Sequence, residues 1–106
     1  MKDCDTRRKE RIKVYNTEQW RRLSEWKRRT QPLCEVCQMQ GKVTAGTDVH
    51  HLVSFTTARS ESERYDLAYD ERNLITLCDA CHSQMHHGSL KGCHTKDEIM
   101  KRLGSL

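Results

Sequence analysis

Two Cys-x-x-Cys pairs, Cys34/Cys37 and Cys78/Cys81, stand 40 residues apart and enclose a His50-His51 step and Asn73, with His82 and His86 close behind. Thiolates at that spacing offer the four ligands of one tetrahedral structural Zn²⁺. The histidines add a second set of side chains able to ligate a metal and to move protons near neutral pH. Alternate residues of a strand face opposite ways, so only one of His50 and His51 would face a metal directly, leaving its neighbour free to activate water. Taken alone, the pair also suits two structural histidines or two ligands of one ion. The chemistry implied is a zinc clamp holding a second, reactive cluster.

The elements that must position these residues can be followed along the chain. Residues 1–15 are polar and charged, with RRKERIK at their centre, and read as a flexible basic arm or nascent helix. Asn16 or Thr17 can cap a helix that runs through an apolar stripe of Trp20, Leu23 and Trp26, with Arg21, Arg22, Lys27, Arg28 and Arg29 on its other sides. Thr30-Gln31-Pro32 ends it, because the residue before proline is pushed out of the helical region. Leu33 to Gln38 forms the first knuckle, and Gly41 and Gly46 then punctuate a hairpin-like stretch with Val43 in one arm and Val49 in the other. Residues 48–53 read as a strand carrying the histidine pair. The polar segment 54–72 is long for a connector and holds a short helix around Glu61–Tyr69. Residues 73–77 lead apolarly into the second knuckle, and a helix over Asp79–His87, capped by Asp79, puts His82 and His86 on one face at i and i+4. Gly88 stops it. Thr95-x-x-Glu98 is a capping box opening a last helix with Ile99, Met100 and Leu103 inward.

Composition agrees with a metal-stapled domain. Of 106 residues, 35% are hydrophobic and 32% charged, so a single small domain has little apolar surface to bury and gains from a metal. No run of apolar residues approaches membrane-spanning length and no secretory leader follows Met1, so the expectation is a soluble, cytoplasmic protein with no membrane partner. In that reducing setting paired cysteines read as ligands rather than as a secreted disulfide framework, and Cys4 and Cys93, without partners at knuckle spacing, as free thiols. Residues 1–29 hold eleven Lys and Arg against five Asp and Glu, whereas the remainder is slightly acidic. A basic N-terminal segment ahead of a nearly neutral metal module suits a phosphate backbone.

Taken in order, Cys34-x2-Cys37, Val49-His50-His51, Asn73-Leu74 and Leu77-Cys78-x2-Cys81-His82 resemble the HNH endonuclease family. The resemblance is nearest to small phage and prophage members whose motif sits inside a four-cysteine zinc site, and it covers roughly Trp20 to His87. It implies an α+β fold: a ββα-metal (His-Me finger) module stabilised by the Cys4 zinc, with flanking helices. The organisation expected is an arm over 1–15 and a single nuclease domain over 16–106, its motif core at 33–87. The family pattern makes His50 a ligand of a catalytic divalent cation and His51 the general base. It makes Asn73 the residue that hydrogen-bonds the loop carrying the histidine pair, and His82 the second protein ligand. His86 becomes a third ligand in the manner of members with His-x3-His on this helix. Two imidazoles suit Mg²⁺ or Mn²⁺, and a third favours Ni²⁺ or Zn²⁺. Arg59, Arg64 and Arg72 are candidates for an arginine acting on the transition state. The Ser60–Glu63 stretch is either a specificity loop or an exposed insertion.

The activity so implied is hydrolysis of DNA phosphodiesters, by nicking or double-strand cleavage, leaving 5′-phosphate and 3′-hydroxyl ends. The setting the resemblance favours is a phage-encoded nuclease working with the terminase in genome packaging, in a bacterial cytoplasm. The rival from another class is a non-catalytic zinc-dependent DNA-binding or assembly module. Such a module would keep the cysteines and the basic segment but would need no His-His step, Asn73 or His82.

Overall fold

The computed structural model describes residues 2–104; Met1 of the expected arm and Ser105 and Leu106 of the expected domain lie outside the described residues. Among the described residues six α-helices, α1 (Cys4–Tyr15), α2 (Glu18–Thr30), α3 (Glu35–Met39), α4 (Glu61–Ala68), α5 (Asp79–His86) and α6 (Lys96–Arg102), surround two strands, β1 (Asp48–His51) and β2 (Leu74–Leu77). The strands pair antiparallel in the register Asp48↔Leu77, Val49↔Thr76, His50↔Ile75, His51↔Leu74, and α5 follows β2 directly. This ββα unit, with helices before, between and after it, is the α+β arrangement expected. No described helix is long and apolar enough to cross a membrane.

β2 is buried at every position, which explains why β1 pairs with it rather than closing the local hairpin expected around Gly41 and Gly46. In that stretch Gly41 takes a positive φ just past α3, Val43 is 83% exposed, and the only pairing is an isolated Leu33↔Ala45 bridge. The backbone folds instead onto its own knuckle. Lys42 N–H donates to Cys37 O, Cys34 N–H to Thr44 O and Gly46 N–H to Pro32 O, each at 2.8 Å.

The N-terminal segment differs most from expectation. Residues 4–15 form α1, capped by the Asp3 side chain accepting from Thr6 N–H at 2.8 Å, with Val14 fully buried. The cause is a buried carboxylate. Glu10 accepts from Lys2 Nζ at 2.8 Å and from Arg64 Nη1 at 2.9 Å, and Lys2 also donates to Thr56 O and Ala58 O. A segment whose composition suggests a solvated arm is thus docked against α4 and the turn before it.

α2 is capped by Thr17, whose hydroxyl accepts from Trp20 N–H, not by Asn16. Its inward positions also shift: Ser24 and Lys27 are buried, whereas Trp26 is only half-buried. Lys27 turns inward to reach Glu35 at 3.0 Å, and Glu35 also accepts from Lys96 Nζ and Thr76 N–H at 2.8 Å each. Burial pushes the Glu35 carboxyl up, but the bonds from Lys96, Thr76 and Lys27 outweigh it and hold the group below its usual range. One carboxylate therefore links α2, α3, β2 and α6. α5 is capped by Cys78 with no side-chain bond rather than by Asp79. The Thr95–Glu98 capping box is present and Ile99 is fully buried, but Met100 points out, 55% exposed.

Gly46 lies where the backbones of the knuckle and β2 approach. A Cβ there would sit 2.2 Å from Thr76 Cγ2 and 3.2 Å from Pro32 O, and Thr76 is fully buried. Gly46→Ala should therefore destabilise the fold by about 1–3 kcal/mol in denaturant unfolding. Thr76→Ser, which removes the opposing methyl, should recover part of that loss in the double variant. Strictly additive losses would show that the clash is relieved elsewhere.

Candidate active site

The first knuckle is the start of α3: Cys34 is its N-cap and receives Cys37 N–H at 3.5 Å. The second is the start of α5, with Cys78 as N-cap and Cys81 in the first turn. Cys37 Sγ lies 3.9 Å from Cys78 Sγ and 3.8 Å from Cys81 Sγ, and the four sulfurs all lie within 4.8 Å of one another. Sulfurs about 2.3 Å from a shared tetrahedral Zn²⁺ would be about 3.8 Å apart, so the set fits that ion. Burial pushes the Cys34 and Cys81 thiols up, so a cation at the centre is what would make four adjacent thiolates compatible. Cys4 is exposed and Cys93 is buried, and neither joins the four-sulfur cluster.

A second cluster forms beside the first. Asp48 and His50, two apart on β1, share a face that meets α5. On α5, His82 and His86 are one turn apart, and the ligand atoms of His50, His82 and His86 all lie within 4.8 Å of one another. His82 Nε2 and His86 Nε2 approach to 2.9 Å, close to the spacing of adjacent ligands held about 2.1 Å from one ion. On the other edge of the same ring, Asp48 Oδ2 lies 3.1 Å from His82 Nδ1. A carboxylate there selects the tautomer that leaves the Nε2 lone pair facing the cluster. Burial, and then the neighbouring His86 and His82, push His50 down to about 4, so it presents a neutral imidazole able to ligate a cation.

His51 turns the other way and is buried. Its Nε2 lies 2.9 Å from Ala68 O. A carbonyl can only accept, so Nε2 carries the proton and the Nδ1 lone pair is free. The Trp20 ring stacks on the imidazole with centroids 4.9 Å apart and planes 26° apart, and Phe55 meets it in a T-shaped pair with centroids 5.0 Å apart. Burial lowers the pKa of His51 while the Ala68 bond partly opposes that, leaving the ring neutral around pH 7.

Asn73 stands behind this arrangement, buried. Its Oδ1 accepts from Val53 N–H at 2.8 Å, and its Nδ2 donates to Val53 O and to Leu67 O, both at 2.9 Å. One side chain thus ties the segment leaving the histidine pair to the end of α4, beside the carbonyl that holds His51. Both donors and the acceptor are satisfied, which is why an amide suits the position.

His50, His51, His82 and His86 open into one cleft of about 640 Å³. Arg59, Arg64 and Arg72 do not line it: Arg64 is fixed on Glu10 at 2.9 Å, and Arg72 rests on Asp70 at 3.3 Å. Ser60 to Glu63 instead form the capped start of α4, away from the cleft. The walls include Arg11 and Tyr15 of α1 and Trp20 and Arg28 of α2. Sequence reasoning gives the basic segment 1–29 to a phosphate backbone but singles out none of these four residues, nor Asp48, for the cleft. Two signals were available: Trp20, Ser24 and Arg28 follow at helical spacing, and Asp48 stands two residues before His50.

A family model described as HNH endonuclease matches residues 34–88, which hold both clusters and Asn73. Among solved structures, the fold is similar to the HNH endonuclease of deep-sea thermophilic bacteriophage GVE2, crystallised with a manganese ion. That likeness has a TM-score of 0.63 and 23% identity over 78% of this chain and 89% of the other. Among curated proteins, Anaredoxin of Nostoc sp. (strain PCC 7120 / SAG 25.82 / UTEX 2576) is 31% identical over 55 residues. That stretch covers 52% of this chain and 62% of Anaredoxin, under two thirds of its length. With the fold, both clusters and more than half its length in agreement, the chain belongs to the HNH endonuclease family.

Proposed function

We propose that the protein is a metal-dependent endonuclease that hydrolyses phosphodiester bonds of DNA. The observation that carries this reading is the opening of a three-imidazole cluster and an oriented, neutral His51 into the same cleft. His50, His82 and His86 are the residues that would hold the catalytic cation. With three nitrogen donors the site suits Ni²⁺ or Zn²⁺ better than Mg²⁺, and Mn²⁺ is the ion with which the bacteriophage GVE2 HNH endonuclease was crystallised. A divalent cation there supplies a Lewis acid that polarises the phosphodiester and offsets charge on the departing 3′ oxygen.

The chain's own residues do the rest. His51 takes the proton of the attacking water on Nδ1, while Ala68 O holds Nε2 and the Trp20 ring fixes the imidazole plane. Asp48 orients His82, and Asn73 keeps the two segments that frame His51 in register. The four cysteines would hold a structural Zn²⁺, which would fix the start of α5 and with it His82. The setting we favour is a phage nuclease acting with a terminase in the bacterial cytoplasm. The phage part of that setting is supported by the fold shared with a bacteriophage HNH endonuclease, and the terminase and cytoplasm by the sequence resemblance alone.

Supercoiled plasmid should be nicked or cut by the wild type with Mn²⁺ and left intact with chelator. His51→Ala should lose about 10²–10⁴-fold in rate while keeping its zinc. Binding without cutting by both proteins would favour the non-catalytic module instead. The pKa of His51 is depressed below its ordinary 6.5, and the neutral form is the base. The cleavage rate should therefore rise with pH through a midpoint below 6.5 and be level above pH 7. A rate still climbing well above that range would exclude His51 as the base.

Cys78→Ala should release the structural zinc, measured by a chromogenic chelator, and abolish cooperative thermal unfolding. Normal melting with full metal content would overturn the zinc assignment.

A further inference from the structure

We infer that Arg11 and Arg28 form a phosphate clamp on the wall of the histidine cleft, binding backbone phosphates of the DNA strand presented to it. The inference rests on the endonuclease reading and adds residues outside the matched segment 34–88.

Charge accounting singles these two residues out. Half of the ten basic side chains on the first two helices are already ion-paired, as is Lys2 just before α1. Lys2 is paired with Glu10, Arg8 and Lys9 with Asp5, Arg21 and Arg22 with Glu18, and Lys27 with Glu35. Arg7 rests on Cys4 Sγ. Among the described residues of this region, Arg7, Arg11, Lys13, Arg28 and Arg29 make no ion pair within 4.0 Å, and of these Arg11 and Arg28 line the cleft.

Placement supports the same conclusion. Arg11 is one turn before Tyr15 on α1, and Arg28 is two turns beyond Trp20 on α2. Each helix thus sends an aromatic ring toward His51 and a guanidinium into the lining of the same cleft. Both arginines are exposed, so neither is desolvated before a ligand arrives. The one carboxylate among the lining residues, Asp48, is already turned to His82. A cleft with two unpartnered guanidiniums and no free carboxylate selects an anion, and guanidinium geometry matches phosphate oxygens.

The test is duplex-DNA binding by the full zinc-loaded chain in a His51→Ala background, so that the DNA stays intact, with affinity measured across a salt series. Each phosphate contact removed makes the slope of log K against log salt shallower by about 0.9. Arg11→Ala and Arg28→Ala should each produce that change and the double variant about twice it, with melting temperatures unchanged. Arg11→Lys and Arg28→Lys should restore the slope, because lysine still neutralises one phosphate. Lys13→Ala should leave the slope closer to the parent's. Unchanged slopes in correctly folded alanine variants would overturn the clamp, whatever the cleavage assay shows. Shallower slopes with a wild type that binds but never cuts would leave the clamp standing and remove the nuclease. A parent that does not bind duplex DNA overturns both.

Discussion

The closure of residues 34–37 onto residues 78–81 is the constraint on which the rest of the structure depends. Cys37 Sγ meets Cys78 and Cys81 Sγ at 3.9 and 3.8 Å, and so joins ends that are 40 residues apart in sequence. A chain with 35% hydrophobic residues has little core to offset the entropy of that loop. Once the ends are joined, the geometry follows. Cys78 terminates β2 and caps α5, so the strand and helix leave the sulfur cluster in fixed directions. His82 is the residue after Cys81, and its position is inherited from the knuckle. β1 then pairs with β2, which carries His50 to the face where His82 and His86 already stand.

Two buried carboxylates extend this order to the flanking helices. Glu35 gathers Lys27, Lys96 and the Thr76 amide; Glu10 gathers Lys2 and Arg64. Such groups are weak sources of net stability, because desolvation offsets most of the attraction. Their effect is positional: a buried carboxylate accepts few arrangements of its partners. Glu35 sets α2 against α3 and α6, and Glu10 sets α1 against α4. Those two placements bring Trp20 and Tyr15 over His51, so an ion pair remote from the cleft shapes the wall around the proposed base.

The elements legible in the sequence are those whose signal is local. The two Cys-x-x-Cys knuckles, the i, i+4 pair His82 and His86, the helix near Glu61–Tyr69 and the Thr95–Glu98 capping box each announce themselves within a few residues. His50, His51 and Asn73 were legible through the ordered motif, and the structure places them around one cleft and its backing. What was not legible depends on partners far away. α1 looks like a charged arm because Glu10 finds Arg64 only 54 residues later. Lys27 reads as a surface residue until Glu35 is folded against it, and Met100 reads as inward until Ile99 and Leu103 have filled the site. The local hairpin lost to β1–β2 pairing because a strand buried at all four positions is a better partner than an exposed Val43.

The smallness of the sheet is itself part of the site. His50 and His51 are adjacent on β1 and must face opposite ways, yet both open into one cleft. The six residues from Thr47 to Leu52 all line it, inward- and outward-facing alike, so the cleft runs along the edge of β1 that does not pair with β2. A third strand on that edge would separate the two faces and put a wall between the His50, His82 and His86 cluster and His51. With the edge open, α5 covers one face with His82 and His86, and α2 covers the other with Trp20. The space between them is shared. A two-stranded sheet has little stability of its own, which is why this one is clamped at one end by four sulfurs and strapped at the other by Asn73. The same openness that lets two histidines of opposite orientation share one cleft makes the clamp and the strap necessary.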